Sequence, residues 1–292
     1  MKKNKLQIGK DLEVERFIYG ITRQIWESKQ INSIYDYYNE DVIVRSPRNT
    51  TYKCKDVIDS TKDTLSQFPD RQLIGEDVIW SGDCKNGILS SHRILSTATH
   101  KGNGFYGKST EKSIMYRVIA DCFIIDNKVV EEWIVRDESA ILNQLGFTAK
   151  KFVEMKIKEK IFDKNSLNSI SNAFDSKNIV KNNSNEFTKT YISYFKKLID
   201  KNFNLINKKY ERSAQTFWPG GKINYSHEQI KKTWSDFLSC FENLELIIHF
   251  FSGIIEPMLS PRVAIRWTIK GIHLNNGYYG SPSQKNIEIA GI

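Results

Sequence analysis

Only four cysteines occur in 292 residues (Cys54, Cys84, Cys122 and Cys240), with no CxxC pair and no regular spacing. This gives no disulfide framework, so reduced, mostly buried thiols in a cytoplasmic protein are expected. No apolar run approaches the roughly 18 residues of a membrane span. The opening MKKNKLQIGKDLEVERF is basic, yet no apolar stretch of about 7–15 residues follows it, and secretion is not expected. Motifs for bound cofactors are missing too. GKST at 107–110 lacks the upstream glycine of a phosphate loop, and there is no HExxH, no paired His/carboxylate spacing and no GxSxG. No metal, nucleotide or other cofactor is expected.

What is present is enough apolar and aromatic side chain for real cores, 40% and 12% of the chain. The length is comfortable for two domains of about 100 to 150 residues each. A net charge of +9 raises the question of nucleic acid. The densest basic stretch, TAKKFVEMKIKEK at 148–160, carries Glu154 and Glu159 as well, and lysine is spread along the chain. That is solvated charge rather than a phosphate-binding stripe, so no nucleic-acid partner is expected.

Two ten-residue stretches are nearly the same: ATHKGNGFYG at 98–107 and GIHLNNGYYG at 271–280. A constant shift of 173 aligns them, and without gaps it aligns 56 positions from Tyr52/Tyr225 to Gly107/Gly280, with thirteen identities. These include Arg93/Arg266, His100/His273, Gly104/Gly277 and Tyr106/Tyr279. So long a period is not that of a solenoid, and a duplicated domain with one core per copy is the reading. The expected organisation is a first domain at 1–147, a linker or helix at 148–187, and a second domain at 188–292.

Phe17, Ile21, Ile25 and Ile34 recur at helical spacing over 13–38, as do Tyr191, Tyr194, Phe195 and Leu198 over 190–208. A second helix carries Val57, Thr61, Leu65 and Phe68 in one copy, and Ile230, Trp234, Phe237, Leu238 and Phe241 in the other. Then the period becomes two, in GILSSHRILSTATH, KSIMYRVIADCFII and KVVEEWIVRD, with Asp126-Asn127 as a hairpin turn. Helices followed by antiparallel strands define an α+β protein.

The stretches SSHRILSTATHKGNGFYG and MYRVIADCFIIDNKVVEEWIVRDESAILNQLGF together resemble the SnoaL-like polyketide cyclases, of the nuclear-transport-factor-2-like superfamily. RWTIKGIHLNNGYYG in the second copy resembles the first half of that pattern. The resemblance implies tandem cones, each with helices in the concave face of a strongly bent antiparallel sheet around an apolar pocket. The glycines of the repeated stretch would form the bend, with Phe105 and Tyr106 walling the pocket or its rim.

The family's acid/base pair, a histidine on the strand before the hairpin and an aspartate after the tryptophan, falls on about Ala120 and on Ile134. Neither can move a proton. The polar set that remains is His92, His100 and Asp121 as candidate catalytic groups, with Tyr106, Arg117, Trp133, Arg136 and Asp137 as candidate ligand-binding groups. An Asp orienting a His, with Arg opposite, could bind and activate a carbonyl or carboxylate ligand. Structural roles stand beside these. His100 recurs as His273 and could serve the bend; Arg117 with Asp121 could be a salt bridge; Asp137 could cap the following helix. His92 is replaced by Ile265 and is peculiar to the first copy.

Two functions remain open: a cofactor-free cyclase, isomerase or hydrolase acting on a small, mainly apolar molecule in the first cone, or a non-catalytic ligand-binding or assembly module. The expected partners are a small-molecule ligand, with no membrane, and sheet-to-sheet pairing of the two domains or of two chains. By the shift, Ile292 corresponds to Ile119, so the second copy stops before the closing hairpin. Truncation or degeneration is favoured over strand donation from another chain, and sites are expected to concentrate in 88–137.

Overall fold

The computed structural model describes Ile8 and residues 13–46, 49–159 and 185–292. The chain divides into two compact units, Met1–Asn182 and Asn183–Ile292. No helix among the described residues is long and apolar enough to cross a membrane.

In the first unit, α1 (Glu13–Thr22) buries Val14, Phe17, Ile18 and Ile21, a stripe at three- and four-residue spacing. The stripe continues to Ile25 through a π-turn at Arg23–Glu27, but the helix expected over 13–38 is broken. Lys29 takes a left-handed φ of 55°, and the chain restarts as α2 (Ile34–Tyr37). The second expected helix is α3 (Cys54–Gln67), with Phe68 just past its end.

Six strands form one sheet: β1 (Tyr38–Arg45), β2 (Thr50–Tyr52), β3 (Gln72–Asp83), β4 (Gly87–Thr99), β5 (Ser113–Ile125) and β6 (Lys128–Arg136). Their order is β2-β1-β6-β5-β4-β3. Asp126 and Asn127, both at positive φ, make the tight β5–β6 turn. All pairings are antiparallel except one: β1 runs parallel to β6, with a break in register between Tyr38 and Ile43. The parallel pairing arises because β1 reaches the sheet from the helical layer, on the far side of the β5–β6 hairpin. Two helices follow, α4 (Glu138–Leu145) and α5 (Ala149–Lys158).

Alternation along the strands sorts side chains to two faces. Across β3, β4, β5 and β6, Val78, His92, Ala120 and Ile134 form one cross-strand row, and Ser90, Cys122 and Glu132 the next. These share a face with the helices, and the core there includes Phe17, Ile18, Ile25, Tyr38, Val57 and Val129.

The repeated stretch is not a bend within a strand. It is the β4–β5 connection, folded back onto the end of α3, where the amides of Lys101 and Gly102 both donate to the Gln67 carbonyl. Gly107 sits at φ 94°, a conformation that favours glycine, and exchanges two backbone hydrogen bonds with Gly104.

The second unit contains α6 (Glu186–Ile199), α7 (Ile206–Lys209), a two-stranded β7–β8 ribbon (Thr216–Trp218, Lys222–Asn224), α8 (His227–Leu238), and β9 (Phe241–Ile254), β10 (Arg262–His273) and β11 (Asn286–Gly291). The last three form a sheet in the order β11-β10-β9. The shift of 173 carries over to geometry. Trp267 opposes Gly291 as Ile94 opposes Val118, and Ile272 opposes Asn286 as Thr99 opposes Ser113. The Gly277–Gly280 bridge matches Gly104–Gly107.

Candidate functional site

The helices and the concave face of the six-stranded sheet line a partly open cavity of about 690 Å³ in the first unit. Its apolar wall comes from Ile18, Ile21 and Trp26 of the α1 segment, Val57 of α3, Leu73, Ile94, Val118 and Ile134 of the sheet, and Phe105 of the β4–β5 connection. The polar groups are numerous, with Ser60, Thr61, Asp63, Thr64, Ser66 and Gln67 from α3 and Ser46, Asn49 and Thr51 beside β1 and β2. They also include Tyr38, Arg71, His92, Cys122, Glu132 and Arg136.

Glu132 is the group the sequence reasoning missed. It stands opposite Cys122 on β5 and Val44 on β1, so its carboxyl enters the cavity wall. The Tyr38 hydroxyl donates to its Oε2 at 3.1 Å. Burial pushes the carboxyl up to about 7, against the Tyr38 and Cys122 hydrogen bonds that favour the charged form. It is therefore balanced between acid and base near neutral pH, the condition for proton transfer. Alternation was the available signal: in VVEEWIVR one of the two glutamates must face inward.

His92 lines the cavity beside Ala120, its cross-strand neighbour. Its ring meets Tyr19 edge-on, with centroids 5.3 Å apart, and Nε2 reaches within 2.8 Å of where a side chain on Gly75 would begin. The glycine makes room for the imidazole. Among the described residues Nε2 has no hydrogen-bond partner. Burial alone drives its pKa down to about 4, so the ring is neutral.

The expected His92–Asp121 pair does not form. Asp121 opposes Ser91 on β4, one residue out of step with His92, and so points to the other face of the sheet. Trp133 opposes Asp121 and shares that face, fully buried, with the Arg45 guanidinium 5.8 Å from its ring. Arg117 lies there too and gives two hydrogen bonds, at 2.8 and 2.9 Å, to Glu76 rather than pairing with Asp121. Arg93 donates to the same carboxylate, and these contacts hold Glu76 below its usual range.

His100 is a structural histidine of the β4–β5 connection. Its amide donates to Lys112, its carbonyl accepts from Thr110 and Glu111, and Nδ1 lies 3.1 Å from the Thr110 hydroxyl. His273 repeats this with Lys285, Gln284 and Ser283. Both rings pack on a phenylalanine, Phe68 at 5.2 Å and Phe241 at 5.5 Å. Tyr106 is buried beneath the same connection and donates to Glu138 at 2.6 Å, leaving Phe105 alone of the pair on the cavity. Asp137 caps α4, accepting from the Ala140 amide at 2.9 Å. Arg136 does reach the cavity, with Nε 3.4 Å from Glu138.

Of the eight candidate residues, His92 and Arg136 are therefore brought to one cavity. Ala120 and Ile134, the positions implied for the family's acid/base pair, oppose each other across β5–β6 on the cavity wall, both apolar.

Residues 16–145 match the family model of the SnoaL-like polyketide cyclases. The fold of this segment, a helix-filled, antiparallel-rich curved sheet, is that of the cone the resemblance implies. Among solved structures, IdmH from Streptomyces antibioticus, described as a proposed polyketide cyclase, is 18% identical; the alignment covers 45% of this chain and 97% of that one, with a TM-score of 0.40. TsrD from Streptomyces laurentii is 13% identical over 48% of this chain and 98% of that one, with a TM-score of 0.42. A protein of ketosteroid isomerase-like fold from Catenulispora acidiphila, solved with trimethylamine, is 10% identical over 46% and 95%, with a TM-score of 0.38. No curated protein matches the chain.

Proposed function

We propose that the first unit binds a small, mainly apolar carbonyl compound and moves a proton on it without a cofactor, with Glu132 as the acid/base group. The observation that carries this is Glu132 itself: a buried carboxyl in the cavity wall, held by Tyr38 and raised to about 7. Its carboxylate would take a proton from carbon next to the carbonyl, leaving the electron pair on oxygen as an enolate. The protonated carboxyl would then return the proton at the same or another carbon. Neutral His92 stands one row away, with a buried nitrogen available to the ligand oxygen. On this reading the proton-moving group has shifted from position 134 to position 132 on the same strand and face.

A second reading is favoured by one observation: the two family positions, Ala120 and Ile134, are apolar wall. The first unit would then hold its ligand without chemistry. We infer further that the two units are copies of one domain, supported by the matching registers and turn hydrogen bonds at a shift of 173.

Exchange of the α-protons of 2-tetralone in D2O, followed by proton NMR, separates the readings. Catalysed exchange that rises as the pH passes through about 7 and is lost in Glu132→Gln supports proton transfer. Binding of the ketone with no acceleration over buffer supports the second reading.

A further inference from the structure

Four charged residues line the cavity: Asp63 on α3, Arg71, and Glu132 and Arg136 on β6. Glu132 and Arg136 face inward from the same strand, four residues apart, which places them roughly 13 Å from each other along β6. At the Arg136 end a second arginine, Arg71, also lines the cavity. Arg71 Nε bonds the Ser96 hydroxyl at 3.4 Å, and Ser96 opposes Tyr116 on β5, one step beyond the Val118–Arg136 pair. The two guanidinium groups thus flank one rung, Ser96–Tyr116.

Their charges are unequally compensated. Arg136 has Glu138 at 3.4 Å, whereas no carboxylate lies within ion-pair distance of Arg71 among the described residues. Its sequence neighbour Asp70 is turned to the Thr99 amide at 2.8 Å and to Lys101 at 3.8 Å. The excess positive charge is felt locally: although burial works the other way, Arg71 and Arg136 draw the Tyr116 hydroxyl below its usual pKa. A buried or half-buried guanidinium facing the cavity is unfavourable unless an anion meets it, and its planar fork matches a carboxylate.

We propose that the ligand of this cavity is an elongated apolar molecule bearing a carboxylate, held by Arg71 with Arg136 as the second donor, at the end away from Glu132. This rests on the reading of the cavity as a small-molecule site and narrows it. The carboxylate would lie on the order of 10 Å from the carbon presented to Glu132, a span of two to three fused rings. A neutral isostere of the same shape loses the charge-assisted hydrogen bonds while keeping the apolar contact.

The test uses the full chain with 1-naphthylacetate and 1-naphthylacetamide, which differ only in the charged group, by isothermal titration at pH 8. The acid is expected to bind at least about tenfold more tightly than the amide. Arg71→Gln should abolish that preference by weakening the acid alone, and Arg71→Lys should restore part of it. Equal binding of acid and amide to the unaltered protein overturns the anion assignment and leaves the small-molecule cavity standing. A preference that survives Arg71→Gln overturns the role of Arg71. Failure of both probes to bind overturns this proposal together with the small-molecule reading beneath it. Because the Arg71 guanidinium bonds only the Ser96 hydroxyl among the described residues, its replacement should leave the melting transition unchanged, which the same samples report.

Discussion

Replacing Glu132 by glutamine tests the electrostatic centre of the site in a way that does not need the ligand. The ordinary glutamate value is 4.5, and burial raises this one to about 7. A carboxyl whose folded value lies above its unfolded value makes the native state the better proton binder between the two. Its stabilising effect is complete below about 4.5 and is lost as the pH rises through about 7. The shift corresponds to roughly 3 kcal/mol, at about 1.4 kcal/mol per unit. Glutamine has the same shape and no such titration. The unfolding free energy of the wild-type chain should therefore fall relative to Glu132→Gln between pH 5 and pH 8, by about 3 kcal/mol. Urea unfolding at several pH values, taken as the difference between the two proteins, cancels every titration they share. At pH 5 the two should be nearly equal. Parallel stability curves across this range would refute the burial of an ionisable carboxyl at Glu132. A difference that grows toward low pH would show a carboxylate held charged, the reverse of what the cavity wall provides.

Other substitutions separate structural from functional candidates. Gly75→Ala should cost about 1–3 kcal/mol in urea unfolding, because the new methyl group meets the Tyr19 and His92 rings; an unchanged midpoint would contradict the packing of His92 under β3. Asp137→Ala should cost about 1 kcal/mol through the lost cap and leave ligand affinity unaltered, whereas a change in affinity alone would make Asp137 a binding residue. Tyr106→Phe removes the hydrogen bond to Glu138 and should lower stability by about 1–2 kcal/mol without altering tetralone exchange. His100→Ala should likewise lower the melting temperature and spare binding, since its ring packs on Phe68 outside the cavity.

The strands and turns of this protein were legible because they are written in short-range chemistry. Alternation marked β4, β5 and β6, and Asp126-Asn127 marked the turn whose two residues take positive φ. The two similar ten-residue stretches take matching backbone hydrogen bonds at His100 and His273. Three features were not legible for physical reasons. The break at Lys29 interrupts an apolar stripe that continues across it, so periodicity alone reads a single helix. The parallel β1–β6 pairing joins segments about ninety residues apart, which no local pattern records. Most consequentially, the two faces of the sheet are both rich in buried polar groups. Asp121, Glu131 and Trp133 are buried on one face, and His92 and Glu132 on the other. When polar residues occupy both faces, alternation gives the two sets but not which set faces the cavity. The candidate set accordingly mixed the two faces, Asp121 and Trp133 with His92 and Arg136, and did not include Glu132. The β4–β5 connection misled differently, since glycines placed for docking onto α3 resemble glycines placed for a bend.

The central claim, a small apolar molecule inside the first cone, is tested most directly by isoleucine-methyl NMR of the full chain titrated with 2-tetralone. Ile18 and Ile21 line the cavity from α1 and Ile94 and Ile134 from β4 and β6, while Ile230, Ile265 and Ile269 belong to the core of the other unit. The first four methyl signals should shift together and saturate with one dissociation constant, with the last three unmoved. No shift at the four cavity methyls up to the solubility of the ketone, or shifts confined to Ile230, Ile265 and Ile269, would contradict it.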